Sequence, residues 1–254
     1  MAMDIPAIND LLARQHGERK WHRRHDPLSE LIATILSQNT SDVNSGRAFD
    51  SLMGEFETWE EVASADVTDI ERAIRSGGIS HVKAVRVKEI LRAILDERGS
   101  LDLEFLERLP VDEAKSWLRR LPGVGPKTIG CVLMFSFGKP VMPVDTHVYR
   151  VARRLGLIEG KASVEQAHEL LEAMVLPGEV YQLHLNMVEH GRRVCKSRRP
   201  MCSECILQDA CPSNRLDDDR GLETAPTVWR PLPQSGDRSH RLRNISSYGK
   251  RSVS

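Results

Sequence analysis

The stretch LPGVGPKTIG, residues 121–130, sets two glycines around one valine and follows them with a proline and a lysine. The apolar stripe Val111, Ala114, Leu118 and Leu121 predicts a helix over 111–121 just before it. Pro126 reads as the first residue of a second helix, because the N–H that proline lacks would be unpaired there anyway. Between them, Pro122 to Gly125 reads as a tight turn. A helix–hairpin–helix of this kind points several free backbone N–H groups outward at the positive end of a helix dipole. Such a nest suits a phosphate, and along a duplex it would hold the backbone without reading bases. The alternative is a plain turn between two helices. The string is not the phosphate loop of nucleotide hydrolases, G-x-x-x-x-G-K-[ST], so ATP binding is not expected.

Lys127 falls in the first turn of the second helix. The dipole and any burial there disfavour a charged amine, and a neutral amine can attack an aldehyde carbon to form a Schiff base. A solvated lysine or a simple phosphate contact is the plainer alternative. Further on, PVDTHVYR places Asp145 just before a helix whose stripe begins at Val148. As an N-cap Asp145 would stabilise that helix by about 1 kcal/mol. A carboxylate fixed in this way could also stabilise a developing sugar cation, provided both helix starts face one cleft.

Helical spacing dominates the rest of the chain. Leu28, Leu31, Ile32, Ile35 and Leu36 form one stripe, Ala84, Val87, Leu91 and Ile94 another, and Val148, Val151, Ala152 and Leu155 a further one. Breaks at SGG (76–78), ERGS (97–100), GKP (138–140) and LPG (176–178) leave short connections, which predicts an all-α protein. Residues 213–254, rich in Pro, Ser, Arg and Asp without apolar period, predict a disordered tail.

The 254 residues carry 36 Lys and Arg against 36 Asp and Glu, so any claim of a nucleic-acid partner must rest on local charge. Local charge is uneven: RRVCKSRR, residues 192–199, holds five cations and no acid. No apolar run reaches the roughly 20 residues of a membrane span. No secretory signal is evident either, and a cytoplasmic protein is expected, nucleoid-associated in a bacterial cell. Four of the five cysteines, Cys195, Cys202, Cys205 and Cys211, follow as C-x6-C-x2-C-x5-C. In a reducing compartment this grouping suggests a metal site rather than disulfides. Four thiolates in one compact loop suit a [4Fe–4S] cluster, with zinc as the alternative. Cys131, inside the apolar run IGCVLMFSFG, reads as a core thiol.

Taken together, LPGVGPKT, VDTH and CKSRRPMCSECILQDAC resemble the endonuclease III family of helix–hairpin–helix DNA glycosylases, in order and in separation. ILSQNTSDVN (35–44) and GGISHVKA (77–84) resemble that family's two DNA-facing loops, and the resemblance covers residues 26–212. It implies a six-helix domain at 28–138 and an iron–sulfur cluster domain built from 1–27 and 139–212, with a DNA cleft between. It implies that Lys127 attacks C1′ of a damaged pyrimidine nucleotide, expels the base and permits β-elimination 3′ to the lesion. Asp145 matches the catalytic aspartate, and Gly123, Val124 and Gly125 match the phosphate-holding hairpin. Ile79 aligns with the apolar wedge, Asn39 with the side chain that fills the gap left by a flipped base, and the four cysteines with the [4Fe–4S] ligands. Arg198 and Arg199 would lie along the DNA backbone. The implied partner is double-stranded DNA with damaged bases or abasic sites, bound by a monomer without a membrane. Pro126 stands where the family often has arginine, which puts one phosphate contact in doubt. Rival readings are a monofunctional mismatch glycosylase, whose adenine-specific branch lacks the lysine, and a non-catalytic DNA-binding module with a zinc knob.

Overall fold

A computed structural model describes residues 4–159 and 161–214. The expected tail lies outside the described residues from 215 onward. Eleven α-helices and no strand occur among the described residues, so the chain is all-α. They are α1 (Ile5–His16), α2 (Pro27–Ser37), α3 (Asp42–Glu55), α4 (Trp59–Ser64), α5 (Val67–Ala73), α6 (Ser80–Arg98), α7 (Val111–Arg119), α8 (Pro126–Phe137), α9 (Thr146–Arg154), α10 (Val164–Met174) and α11 (Val180–Arg193). Their starts follow local chemistry. The Asp26 side chain accepts from the Leu28 and Ser29 N–H groups ahead of α2, and Ser41 and Thr58 cap α3 and α4 in the same manner. Gly99 and Gly138 end α6 and α8 in left-handed conformation.

Helix α7 stops at Arg119, two residues short of the helix expected over 111–121. Arg120 and Leu121 instead donate to the Trp117 and Leu118 carbonyls, tightening the last turn so that the chain can reverse into the hairpin.

Two apolar cores are built. The first gathers α2 to α7 with one side of α8, and Leu31, Ile32 and Leu36 at its centre are fully buried. The second gathers α1, α9, α10 and α11 with the other side of α8. Helix α8 serves both: Ile129, Val132 and Leu133 face the first core, Cys131, Met134 and Phe135 the second. A helix walled on both sides must be apolar nearly all round, and PKTIGCVLMFSF is. Its first turn therefore emerges at the junction of the two cores.

The crossing from α1 to α2 is a short extended strap. Trp21 donates from its indole Nε1 to the Met134 carbonyl at 2.8 Å. Arg24 lies over the Phe135 ring, 4.1 Å from its centroid, and pairs with the fully buried Glu30. Further ties between the two halves are the ion pairs Lys115–Glu172 and Arg192–Asp42.

Candidate active site

Gly123 adopts φ +71°, a conformation only glycine takes without strain, and it is exposed at the hairpin tip. Gly125 is the N-cap of α8 and supplies no side chain to its first N–H groups. Val124 is 6% exposed and anchors the hairpin in the first core. The free N–H groups and the dipole thus converge where the sequence puts Lys127, half-buried in the first turn of α8. The Lys127 amine lies close enough to the Cys131 thiol, one turn along, to act on it electrostatically. Burial, the largest influence, pushes the Cys131 thiol upward, so it stays protonated and apolar, as a core thiol should.

Asp145 caps α9: its Oδ1 accepts from the His147 N–H at 2.8 Å and the Val148 N–H at 2.7 Å. What presses this segment onto α8 is Gly130, three residues beyond Lys127. A Cβ there would stand 3.1 Å from the Pro143 Cα. Lys127 and Asp145 both act electrostatically on one buried ring, that of His184 on α11. His184 donates from Nδ1 to the Pro143 carbonyl at 2.9 Å, and burial lowers its pKa to about 4. It is therefore neutral at physiological pH, with Nε2 left as an acceptor. The lysine, the aspartate and a neutral histidine thus form one neighbourhood. Nothing in the sequence singled out His184, one histidine among nine on a helix with ordinary apolar spacing.

The two loops expected to face DNA carry a signature that no sequence pattern revealed. Among the described residues, three non-glycine positions have positive φ: Asn39 (54°), Ile79 (49°) and Arg199 (54°). All three are residues selected for DNA contact. For a β-branched residue such as Ile79 this conformation costs about 1–3 kcal/mol, held only by surrounding structure. Ile79 is also 56% exposed. The loops are neighbours: a Cβ on Gly78 would stand 3.9 Å from the Thr40 Oγ1.

The cationic loop is held from below. Arg150 donates to the carbonyls of Gly191 and Cys195, and Arg154 to those of Cys195, Lys196 and Ser197. Arg198 and Arg199 remain exposed above this anchorage. Arg192 and Arg193 do not join them: they pair with Asp42 and Glu189. Arg86 on α6, which the sequence did not distinguish, lies over the hairpin at Gly123.

Cys195, Cys202, Cys205 and Cys211 line one pocket with Val151, Leu155, Val194, Pro200 and Met201. All four are free thiols. Arg154 donates to the Cys195 sulfur at 3.2 Å, and the His190 Nε2 is 3.5 Å from that of Cys205. Burial pushes the Cys205 thiol up to about 11, and a bound metal would override this by deprotonating it. Among the described residues no three His, Cys, Asp or Glu side chains converge as a single bound ion requires. Among them too, no helix is long and apolar enough to cross a membrane.

Comparison with known proteins decides the family. Residues 32–177 match the HhH-GPD superfamily of base excision DNA repair proteins. Endonuclease III of Thermotoga maritima is 37% identical over 79% of this chain and 90% of its own length. The chain belongs to the endonuclease III family. An Arabidopsis thaliana relative is 39% identical over 74% of this chain, which spans 62% of that relative's length. Two solved structures of endonuclease III with DNA, one a non-covalent complex and one a trapped covalent intermediate, superpose with TM-score 0.73 at 28% identity. They cover 85% and 84% of this chain and 97% of theirs. In this endonuclease III relative, the family match includes Asn39, Ile79, the hairpin, Lys127 and Asp145 and ends before the cysteine loop.

Proposed function

We propose that this chain is a bifunctional DNA glycosylase and AP lyase that removes oxidised pyrimidines from duplex DNA. The observation that carries the proposal is Lys127 beside the glycine hairpin, on the helix shared by both cores, with the segment that leads to Asp145 packed on that helix through Pro143. The hairpin N–H groups hold a backbone phosphate. The damaged nucleotide leaves the stack, since its C1′ cannot be reached inside a duplex. The Lys127 amine attacks C1′, the bond to the base breaks, and the base departs with the bonding electrons and a proton. The C1′–O4′ bond of the sugar ring then opens, O4′ taking up a proton, and the Schiff base so formed acidifies the C2′ hydrogen. Loss of that proton expels the 3′ phosphate, and hydrolysis then frees the lysine. Asp145 assists activation of the lysine and stabilises the positive charge that develops on the sugar. That an endonuclease III has been trapped covalently on DNA supports a lysine adduct here.

Cys195, Cys202, Cys205 and Cys211 would hold a [4Fe–4S] cluster. Four thiols line a shared pocket within one compact loop, and a guanidinium N–H reaches one of the sulfurs. Four thiolates grouped in this way are the ligand set that such a cluster takes. Bound there, the cluster would staple the loop that carries Arg198 and Arg199. The protein acts as a monomer, residues 28–138 forming one domain and 1–27 with 139–212 the other.

The test is borohydride trapping on a duplex with one oxidised pyrimidine. Wild type is expected to give a covalent protein–DNA adduct, and Lys127→Gln none while still binding DNA. An adduct of undiminished yield in Lys127→Gln would move the nucleophile elsewhere. A brown preparation would accompany a cluster, a colourless one zinc.

A further inference from the structure

Lys83, on the first turn of α6, is 5% exposed, and among the described residues no carboxylate pairs with its side chain. Its amine donates to two backbone carbonyls, Leu36 at 2.7 Å and Gly77 at 2.8 Å. Leu36 belongs to the last turn of α2, whose carbonyls have no partner within the helix and carry the negative end of its dipole. Gly77 closes the 3₁₀ turn Arg75–Gly77. Burying an ammonium solely on carbonyls is an expensive way to fill a core position, and an apolar side chain would do that more cheaply. Burial also pulls the amine below the ordinary lysine value. The position of its two acceptors explains its presence. Three residues past Leu36 is Asn39 and two past Gly77 is Ile79, both in left-handed conformation. One buried amine therefore fixes the take-off points of both loops.

We infer that Lys83 is a positioning residue that locks the Asn39 loop and the Ile79 loop into one stiff tip, and so governs how readily a damaged base leaves the stack. The inference rests on the proposed glycosylase reading. Ile79 and Val82, 56% and 57% exposed, make the apolar edge of that tip. A wedge between stacked bases must meet the unstacking cost, and a tip that orders only on contact loses part of its binding energy to that ordering. Left-handed Asn39 and Ile79 would relax if their anchors came free. Lys83 touches neither Lys127 nor Asp145, so its effect should fall on base extrusion rather than on bond breaking.

The experiment compares two duplexes under single-turnover conditions: one with an oxidised pyrimidine paired in the helix, one with a preformed abasic site. Lys83→Met keeps length and removes the donors. It should slow excision of the paired lesion by about tenfold more than it slows cutting at the abasic site. The 2-aminopurine signal placed opposite the lesion should fall in parallel. Lys83→Arg, which can still donate to both carbonyls, should recover most of the difference. If Lys83→Met does not fold, Gly77→Ala replaces it. A Cβ there would lie 3.1 Å from the Ala48 Cβ and push the carbonyl off Lys83, giving a smaller split of the same sign. Equal slowing on both substrates, or no slowing, would overturn the inference. Wild type that cuts neither duplex would instead overturn the glycosylase reading on which it rests.

Discussion

Gly130 of α8 and Pro143 of the loop before α9 are packed backbone to backbone, leaving only 3.1 Å from a Cβ on Gly130 to the Pro143 Cα. Neither residue carries chemistry, yet their contact brings the Asp145 turn onto the helix that bears Lys127. Gly130→Ala should therefore act twice. Overpacking against rigid backbone costs about 1–3 kcal/mol. The pushed-back loop should also slow single-turnover excision, with duplex affinity nearly unchanged. A variant with lowered Tm and full excision rate would show that the contact serves stability alone.

Arg86 lies over Gly123, where a Cβ would be 2.7 Å from the guanidinium carbon. Arg86 pairs with Glu89 at 3.6 Å and is expected to offer the hairpin a cation for a backbone phosphate, which Pro126 cannot. Gly123→Ala would displace it and force alanine into a left-handed conformation costing about 1 kcal/mol. Arg86→Ala and Gly123→Ala should each weaken duplex binding, and the double variant should be hardly weaker than the worse single one. Additive losses would mean that the two residues act separately.

Asp145→Asn separates capping from chemistry, since Asn caps a helix about as well as Asp. Thermal stability should hold while base excision falls by orders of magnitude. A fall in Tm with an intact excision rate would reduce Asp145 to its cap.

Replacing Arg198 and Arg199 together by Ala should weaken binding to damaged and undamaged duplex alike. Each lost phosphate contact lowers the log–log salt slope by about 0.9. Chemistry on saturated complexes should survive. An unchanged slope across a salt titration, with the protein's colour retained, would leave the loop a merely solvated surface.

His184 makes a prediction about acid. Burial lowers its pKa from 6.5 to about 4, so between those values the unfolded chain takes up a proton that the folded one refuses. The stabilisation is full above pH 6.5 and is lost as pH falls toward 4, with a slope of at most about 1.4 kcal/mol per pH unit. His184→Asn, which can keep a donor to the Pro143 carbonyl, should flatten the stability curve in that window. Denaturant titrations at several pH values would show it, and an unchanged slope would assign the acid sensitivity to other groups.

Local rules determined much of this protein. Gly123, Gly125 and Pro126 specify a hairpin because φ preference and the missing proline N–H act within a few residues. The cap at Asp145 and the burial of the Leu28–Leu36 stripe follow from equally short-range constraints. The shape of α8 was also present in its composition, since a helix without a polar face has to be covered on both sides. Other features required the folded chain. Lys83 and Arg86 share α6 with Lys88 and Arg92, and their sequence neighbours do not set them apart. What distinguishes them is which carbonyl or glycine from a distant segment lies across from them, a matter of long-range packing. The same holds for His184, and for the bonds from Arg150 and Arg154 to the carbonyls of Gly191 and Lys196, which lie more than 40 residues away. The left-handed backbone at Ile79 and Arg199 runs against local preference, whereas Asn39 is of a type that adopts it readily. At Ile79 above all, tertiary contacts must hold the residue there, so local sequence cannot announce it.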